Sequence, residues 1–452
     1  MQEQKTKLLL ETLGRLLRRN ARENIKNIIL KLHPADIANV LNHFEKEEKN
    51  YIFGVVEDNK LAAEVLCEVD RGVIGELIED MAPKKVAGIF QEMSPDDSKD
   101  IIDHLPEEKA EEILDIMKDK DSKEIEELLK YEKDTAGGIM TPNFLALHED
   151  MIIEDAIKEV RKASEAEMVF YIYVVDDKNH LVGVVSLRQL ILASPSKALR
   201  GVMAKRVYSV QADMDQEDVS TFVARYNLLA IPVVDEENKM VGIITVDDII
   251  DVIGEEATED IYKMAGTHEE EMLFSKSMFK VARYRLPWLV TSLIGGVITG
   301  LLLWQFKIAL KEVIALATFI PVIMGMGGNV GTQSSTITVR GMAIGKIDAS
   351  MVTKHILREM RTGAVIGILC AAIIGVVALI WHGNAMLGAV IGVSMFFAIT
   401  MASFMGALAP IVFKRLNIDP AIAAGPFVTT SNDITGLLIY FGLATLLLRY
   451  LT

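Results

Sequence analysis

One carboxylate stands apart from the others in this sequence. Asp433 lies in the run Pro426-Phe427-Val428-Thr429-Thr430-Ser431-Asn432-Asp433-Ile434-Thr435-Gly436, inside a stretch otherwise apolar enough to cross a bilayer. On insertion scales a charged side chain at the bilayer centre costs on the order of 3 kcal/mol, and the surrounding apolar sequence offers no Lys or Arg to pair with it. Such a residue should face a wet cavity, a cation or another polar chain. The bland alternative is a protonated Asp hydrogen-bonded between helices. Thr429, Thr430, Ser431 and Asn432 add oxygen ligands around it, and Pro426 should free backbone carbonyls about a turn earlier, as is tolerated where they line a cavity. All these ligands are oxygen, with no cysteine or histidine cluster beside them. That favours a hard cation over zinc or copper.

A second stretch reads Pro321-Val322-Ile323-Met324-Gly325-Met326-Gly327-Gly328-Asn329-Val330-Gly331-Thr332-Gln333-Ser334-Ser335. Clustered glycines with Asn329 and Gln333 do not make a lipid-facing helix, so a broken, polar, pore-lining segment is expected. Close packing through small residues is the competing reading. Packing alone suits the pairs Gly296/Gly300, Gly363/Gly367 and Gly388/Gly392.

The third feature is an acidic run. Asp247, Asp248, Asp251, Glu255, Glu256, Glu259, Asp260, Glu269, Glu270 and Glu271 are accompanied by the single base Lys263. Asp251, Glu255 and Glu259 have helical four-residue spacing, so like charges share one face and repel. A solvated acidic face is the plain reading. A cation sensor is the sharper one: divalent ions bridging this face and Asp96, Asp97 and Asp100 would remove the repulsion.

These residues need elements to hold them. The 452-residue chain carries 47 Lys/Arg and 63 Asp/Glu, a formal charge of −16. The imbalance is local: residues 1–285 carry −21, and the 167 residues from Leu286 onward carry +5. The acidic part repels phosphate instead of releasing its counterions, which excludes nucleic acid as a partner. Cys67 and Cys370, the two cysteines, make no disulfide framework. The N-terminal residues read as a charged helix, without the apolar core and cleavage site of a signal peptide. The soluble part is therefore expected in the cytoplasm.

Over about 25–130, Pro34, Pro83, Pro95 and Pro106 each precede polar and then helix-spaced apolar residues. Pro fits a first helical position because its missing N–H would have no partner there, so short helices stacked into a superhelix are expected. Over 135–255, Tyr173-Val174-Val175-Asp176 with Leu181-Val182-Gly183-Val184-Val185 recurs as Pro232-Val233-Val234-Asp235 with Met240-Val241-Gly242-Ile243-Ile244. Upstream, Met140-Thr141-Pro142 matches Met203-Ala204-Lys205. The repeat resembles the CBS domain, which folds as tandem pairs whose cleft often takes adenine nucleotides.

Five apolar stretches of spanning length follow, near 287–306, 313–339, 362–381, 385–413 and 420–448. Lys280, Arg283 and Arg285 precede the first. Arg340, Lys346, Lys354, Arg358 and Arg361 lie between the second and third, and Lys414 and Arg415 between the fourth and fifth. The positive-inside rule then places the N-terminus inside and the C-terminus outside; Lys307 and Lys311, beside Glu312, run against it.

The expected fold class is multidomain: an all-α superhelical N-terminal domain (1–133), an α/β tandem CBS pair (134–200 and 201–255), a connecting helix (256–285) and an α-helical membrane domain with five transmembrane helices (286–452). In this order, and with Gly327-Gly328-Asn329-Val330-Gly331-Thr332-Gln333 and Asn432-Asp433, nearly the whole chain resembles the MgtE family of magnesium channels. The resemblance implies a homodimer in the plasma membrane, with a pore along the two-fold axis lined by the second and fifth spans. Hydrated Mg²⁺ would pass Asp433, Asn432, Asn329 and Thr429, a fit to an ion that dehydrates reluctantly. It also implies that 256–283 acts as a plug, held closed by cytosolic Mg²⁺ at Asp96, Asp97, Asp100, Asp247, Asp248, Asp251, Glu255, Glu256, Glu259 and Asp260. ATP is an optional ligand of the CBS pair. In the second copy Thr245 and Asp248 fit the nucleotide pattern, whereas the first copy has Gln189 where the acid is expected. Two other readings stay open, a divalent-cation transporter coupled to H⁺ or Na⁺ and a membrane-anchored sensor without transport. No phosphate loop, Ser-His-Asp set or HExxH motif occurs, so no enzymatic activity is assigned.

Overall fold

The computed structural model describes residues 2–117, 119–163, 170–267, 278–308, 313–347 and 351–447, and the chain divides into two compact units, 1–253 and 254–452. The first unit begins with ten helices, α1–α10, between Gln2 and Leu128. Most run eight to ten residues, too short to persist alone in water. Each is held by its neighbours: α3 (Pro34–Leu41) packs on α5 (Asn59–Glu68), α5 on α7 (Pro83–Phe90), α7 on α9 (Glu107–Ile116), and α8 (Pro95–Ile102) on α10 (Asp119–Leu128). Pro34, Pro83 and Pro95 occupy first helical positions as expected, whereas Pro106 stands one residue earlier, at the N-cap. Ile37, Leu41, Val65, Leu66, Ile78 and Phe90 are among the side chains that form the shared core.

Two three-stranded sheets follow. β1 (Ala146–His148) runs parallel to β2 (Tyr171–Val175), which is antiparallel to β3 (Leu181–Ser186). β4 (Val210–Gln211), β5 (Ala230–Val234) and β6 (Met240–Thr245) repeat that order. Interleaved with them are α11 (Ile153–Lys162), α12 (Leu187–Leu192) and α13 (Gln216–Tyr226). The repeat extends to register, since Tyr173 faces Val184 and Pro232 faces Ile243. It extends to the turns too: Asn179 and Asn238 both have φ 62°, a conformation Asn tolerates better than most residues.

The copies also exchange segments. Thr141 N donates to Ile243 O (2.8 Å), and Ala204 N donates to Val184 O (2.9 Å). Each upstream segment thus pairs with the third strand of the other copy. A Cβ on Gly242 would overlap Met140, and one on Gly183 would overlap Met203, so these two glycines make the exchange sterically possible.

The division between units falls within α14 (Val246–Ala265). The second unit is helical: α15 (Met278–Gln305), α16 (Ala315–Ala343), α17 (Val352–His382), α18 (Ala385–Arg415), the short α19 (Pro420–Ile422), a π turn at Ala423–Phe427, and α20 (Val428–Leu446). Among the described residues four helices, α15 to α18, are long and apolar enough to cross a membrane. The expected fifth stretch is subdivided, and the polar run Thr429–Asp433 occupies the start of its 19-residue helix; its last expected residue, Leu448, lies outside the described residues. α18 is the centre, packed against α16, α17 and α20. Its apolar window is 56% buried, against 17% for α17 and 11% for α15, so the last two turn most of their surface away from the bundle.

Two further expectations need correction. The glycine-rich stretch is not broken, for α16 is continuous from Ala315 to Ala343. A helix keeps every backbone group satisfied without water, and glycine permits that while allowing close approach. Of the glycine pairs, Gly363, Gly367, Gly388 and Gly392 do meet at the α17–α18 contact, but Gly296 and Gly300 face open space. Gly295 makes the contact instead, against Thr430.

Candidate functional site

The break in the membrane unit lies at the entrance to α20. Pro426 has no N–H to give, and Gly425 takes φ −85°, ψ −124°, outside the helical region. Thr429 Oγ1 donates back into this turn, at 3.3 Å from Gly425 O and 3.1 Å from Pro426 O. Its hydroxyl hydrogen is spent there, which leaves its oxygen lone pairs available. Asn432 is buried (2% exposed). Its Nδ2 donates to Gly327 O at 3.3 Å, and its Oδ1 is buried without a partner among the described residues. A Cβ on Gly331 would overlap Asn432. Gly327 and Gly331 are therefore the seat of Asn432, and Tyr440 OH donating to Leu316 O (2.9 Å) makes a second tie between α16 and α20.

Asp433, the next residue, is half-buried and has no hydrogen-bond or ion-pair partner among the described residues. Asn329 is exposed, as are Gln333 and Thr336 on the same stripe of α16. The four residues expected along the pathway therefore divide. Asp433 and Asn329 are accessible, Thr429 braces the kink, and Asn432 holds two helices together.

The acidic residues fall into two groups, one in each unit. In the first, α8 brings Asp96 and Asp97 into electrostatic contact with Asp247 and Asp248 at the start of α14, with Asp100 beside Asp97. Burial, then Asp97 and Asp248, raise the Asp96 pKa to about 7. Burial raises Asp248 to about 6, with Asp247 and Asp97 adding to it. Asp97 is raised by burial too, against the Ser94 hydroxyl that donates to it at 2.8 Å. Asp96 Oδ1 is buried without a hydrogen-bond partner among the described residues.

Sequence reasoning missed the cation among them. Lys99 is 1% exposed, donates to Gly138 O at 2.8 Å and lies 3.4 Å from Asp100 and 3.5 Å from Asp103. Its spacing on α8 was the available signal.

In the second unit, Lys263 Nζ lies 2.6 Å from Glu259 Oε1 and 2.5 Å from Asp419 Oδ2. Burial opposes the charge on Lys263, but these two carboxylates outweigh it and hold its pKa above the usual lysine range. Asp260 is raised to about 6 by burial and then by Asp419. Asp419 had not been singled out; the signal was its place before Pro420, as the N-cap of α19. Glu255 and Glu256 also belong to this unit's part of α14, while Asp251 is exposed on the part in the first. Glu269, Glu270 and Glu271 lie outside the described residues. Among the described residues, no three His, Cys, Asp or Glu side chains are close enough together to cage a bare metal ion.

Thr245 and Asp248 are placed against each other. Asp248 Oδ2 accepts from Thr245 N (3.1 Å) and Thr245 Oγ1 (2.6 Å), and Thr245 is 3% exposed. One cleft in the CBS pair lies beside the first copy. It measures about 600 Å³ and is lined by Phe170, Tyr171, Ser186, Arg188, Ile191 and Leu229, among others. Gln189, in place of the expected acid, is used in the α12 capping box with Ser186.

Comparison with known proteins gives this geometry a context. A family model described as MgtE, divalent cation transporter, matches residues 320–443. The MgtE intracellular N domain matches 32–134, and CBS domains match 136–196 and 199–255. The magnesium transporter MgtE of Enterococcus faecalis is 40% identical over 450 residues, covering 99% of this chain and 98% of its own. The chain belongs to the MgtE magnesium transporter family.

The MgtE of Bacillus subtilis is 42% identical over 318 residues, 70% of each chain. A crystal structure of the cytosolic domain of the Mg²⁺ channel MgtE in complex with ATP superposes with TM-score 0.51 at 34% identity, over 54% of this chain and 99% of that one. The soluble part of a magnesium transporter does so with TM-score 0.50 at 30% identity, over 56% and 99%. MgtE proteins are transporters and not enzymes, and this member carries the family's three parts in order: N domain, CBS pair and helical membrane domain.

Proposed function

We propose that this MgtE family member is a Mg²⁺ channel of the plasma membrane, closed from the cytoplasmic side by Mg²⁺ itself. The observation that carries the reading is Asp433: a half-buried carboxylate in an apolar bundle, without a partner among the described residues. A lone carboxylate at this depth needs water or a cation. In a homodimer, the Asp433 side chains of two subunits and the exposed Asn329 stripe would line one wet path. Mg²⁺ keeps several of its waters, so carboxylate and amide groups reading the hydrated ion suit it better than a tight cage.

Closure uses the two acidic groups. At low Mg²⁺ the carboxylates of Asp96, Asp97, Asp100, Asp247 and Asp248 repel one another within the first unit. The same holds in the second unit for Glu259 and Asp260 on the last turns of α14 and Asp419 before α19, with Glu255 and Glu256 adding to that face and Asp251 to the first unit's. Hydrated Mg²⁺ screens both groups and so favours the packed state, which must bind the ion more tightly than the separated one. The soluble parts face the cytoplasm on the positive-inside count, and the cleft beside the first CBS copy is the place for ATP.

The test is Mg²⁺ influx into liposomes under a potassium-diffusion potential. Asp433→Ala should lower influx at least tenfold (about 1.4 kcal/mol or more in the barrier) in protein that elutes like the wild type. Equal flux in the two would sink the assignment. Flux that follows an imposed pH gradient and not the potential would instead make this an H⁺-coupled transporter.

A further inference from the structure

α16 carries polar side chains on two faces. Asn329, Gln333 and Thr336 are exposed, while Ser334, Ser335 and Thr338 are 4% exposed or less. The rotation of the helix about its axis decides which set meets the bundle and which stays open. Apolar packing fixes such a rotation poorly in a bilayer, because lipid tails are as apolar as a neighbouring Leu.

Two hydrogen bonds to α17 do fix it. Ser334 Oγ donates to Glu359 Oε2 at 3.1 Å, and Thr338 Oγ1 lies 2.8 Å from His355 Nε2. Residues 334 and 338 are one turn apart, as are 359 and 355, so antiparallel helices match them as two rungs of a ladder. All four side chains are buried. Thr338 also donates its hydroxyl hydrogen to Ser334 O at 2.7 Å. Its oxygen is then left to accept, and His355 must donate from Nε2–H.

On a third side, Gly406 of α18 packs so closely on Gly331 O and Ser334 that a Cβ there would overlap them. α17 otherwise packs chiefly on α18; toward the other end of α16, Phe319 rests on Trp381 and His382 of α17, and the ladder adds the polar contacts. A buried carboxylate that, among the described residues, takes one hydroxyl donor is a costly way to join two helices where apolar residues would pack without desolvation cost. What it adds is a single rotational setting.

We propose that Glu359 and His355 are positioning residues for ion permeation. Through Ser334 and Thr338 they fix the rotation of α16, and with it which polar face of the helix meets the cation. The proposal rests on the reading of the exposed stripe as the ion path, so it is tested by a measurement independent of transport.

In full-length protein with Cys67 and Cys370 replaced by Ser, a cysteine is placed at Gln333 or at Ser335. Labelling by a membrane-impermeant maleimide is then timed in liposomes. Gln333→Cys should label at least about tenfold faster than Ser335→Cys, and in the Glu359→Leu/His355→Leu background the ratio should fall to within about threefold as the helix loses its setting. Mg²⁺ influx should fall about tenfold in the same background. Glu359→Gln with His355 retained keeps an acceptor for Ser334, and should leave the labelling ratio and the influx at their values with the ladder intact.

Equal labelling of the two positions without the ladder substitutions overturns the proposal, as does an unchanged ratio with them. If the double variant does not fold, Ser334→Ala removes one donor only and must still lower the ratio. The expected labelling ratio in the cysteine-substituted chains, together with no Mg²⁺ influx through the wild type, would uphold the rotational setting and reject the ion path.

Discussion

Lys263 Nζ lies 2.5 Å from Asp419 Oδ2, and the other oxygen of that carboxylate accepts the Ala421 N–H at 2.7 Å. One side chain therefore ties the last turn of α14 and starts α19, just before the kink at Gly425. The adjacent Met264 packs against Val339, Ala421 and Ala424. Within the second unit, the end of the linker helix and the entrance to α20 are joined by a cation the chain supplies itself.

Replacing that cation should loosen the join. Lys263→Met leaves Glu259, Asp260 and Asp419 without their ammonium. Flux at intermediate cytosolic Mg²⁺ should rise up to about fivefold, the equilibrium equivalent of about 1 kcal/mol for a partly exposed ion pair. Lys263→Arg should keep wild-type behaviour. A flux-against-Mg²⁺ curve unchanged in Lys263→Met would show that the ion pair does not take part in closure.

The Asp96–Asp248 group sets a pH dependence of known sign. Its folded-state pKa values, about 7 and about 6, lie above the ordinary carboxylate value, so the folded chain holds more protons than the unfolded one. That contribution is fully present below about pH 4 and is lost as pH rises through 6 to 7. In chelator, the full-length protein in detergent should melt several degrees lower at pH 8 than at pH 5.5. Millimolar Mg²⁺ should narrow the gap at pH 8, and Asp96→Asn should flatten the pH profile. A melting temperature that climbs from pH 5.5 to 8 without metal would contradict the geometry.

Gly331→Ala tests the seat of Asn432. The added methyl overlaps the Asn432 side chain and presses on Val428, and an overpacked contact of this kind costs roughly 1–3 kcal/mol. Lower thermal stability and loss of influx are expected. Gly300→Ala, which meets open space, should change neither. Similar stability in the two variants would mean that α16 and α20 are not so closely apposed.

For nucleotide binding, the cleft and the sequence pattern point to different copies. Titration calorimetry with ATP should show affinity reduced about tenfold or more in Arg188→Ala, through loss of a charge-assisted phosphate contact. Asp248→Asn should bind nearly as the wild type does. The reverse result would return the site to Thr245 and Asp248.

Much of this was legible in one dimension. The offset between Tyr173 and Pro232 announced two alike sheets, because a strand pair needs only local alternation and a turn. Pro34, Pro83 and Pro95 marked helix starts, since proline's missing N–H is a local fact. Asp433 stood out because a carboxylate among apolar residues costs energy wherever the chain goes.

What the tertiary structure decided is pairing across distance. The exchange of Thr141 and Ala204 between copies leaves no trace in either copy's own pattern. That Asn432 reaches Gly327 O is invisible in the sequence, and Glu359 and His355 read as part of a basic loop until α17 is found to begin at Val352. Lys99, Lys263 and Asp419 look like ordinary surface charges in the sequence. Composition and periodicity fix what each segment can bury, whereas the partner of a buried polar group depends on which helix arrives beside it, and only the folded chain specifies that.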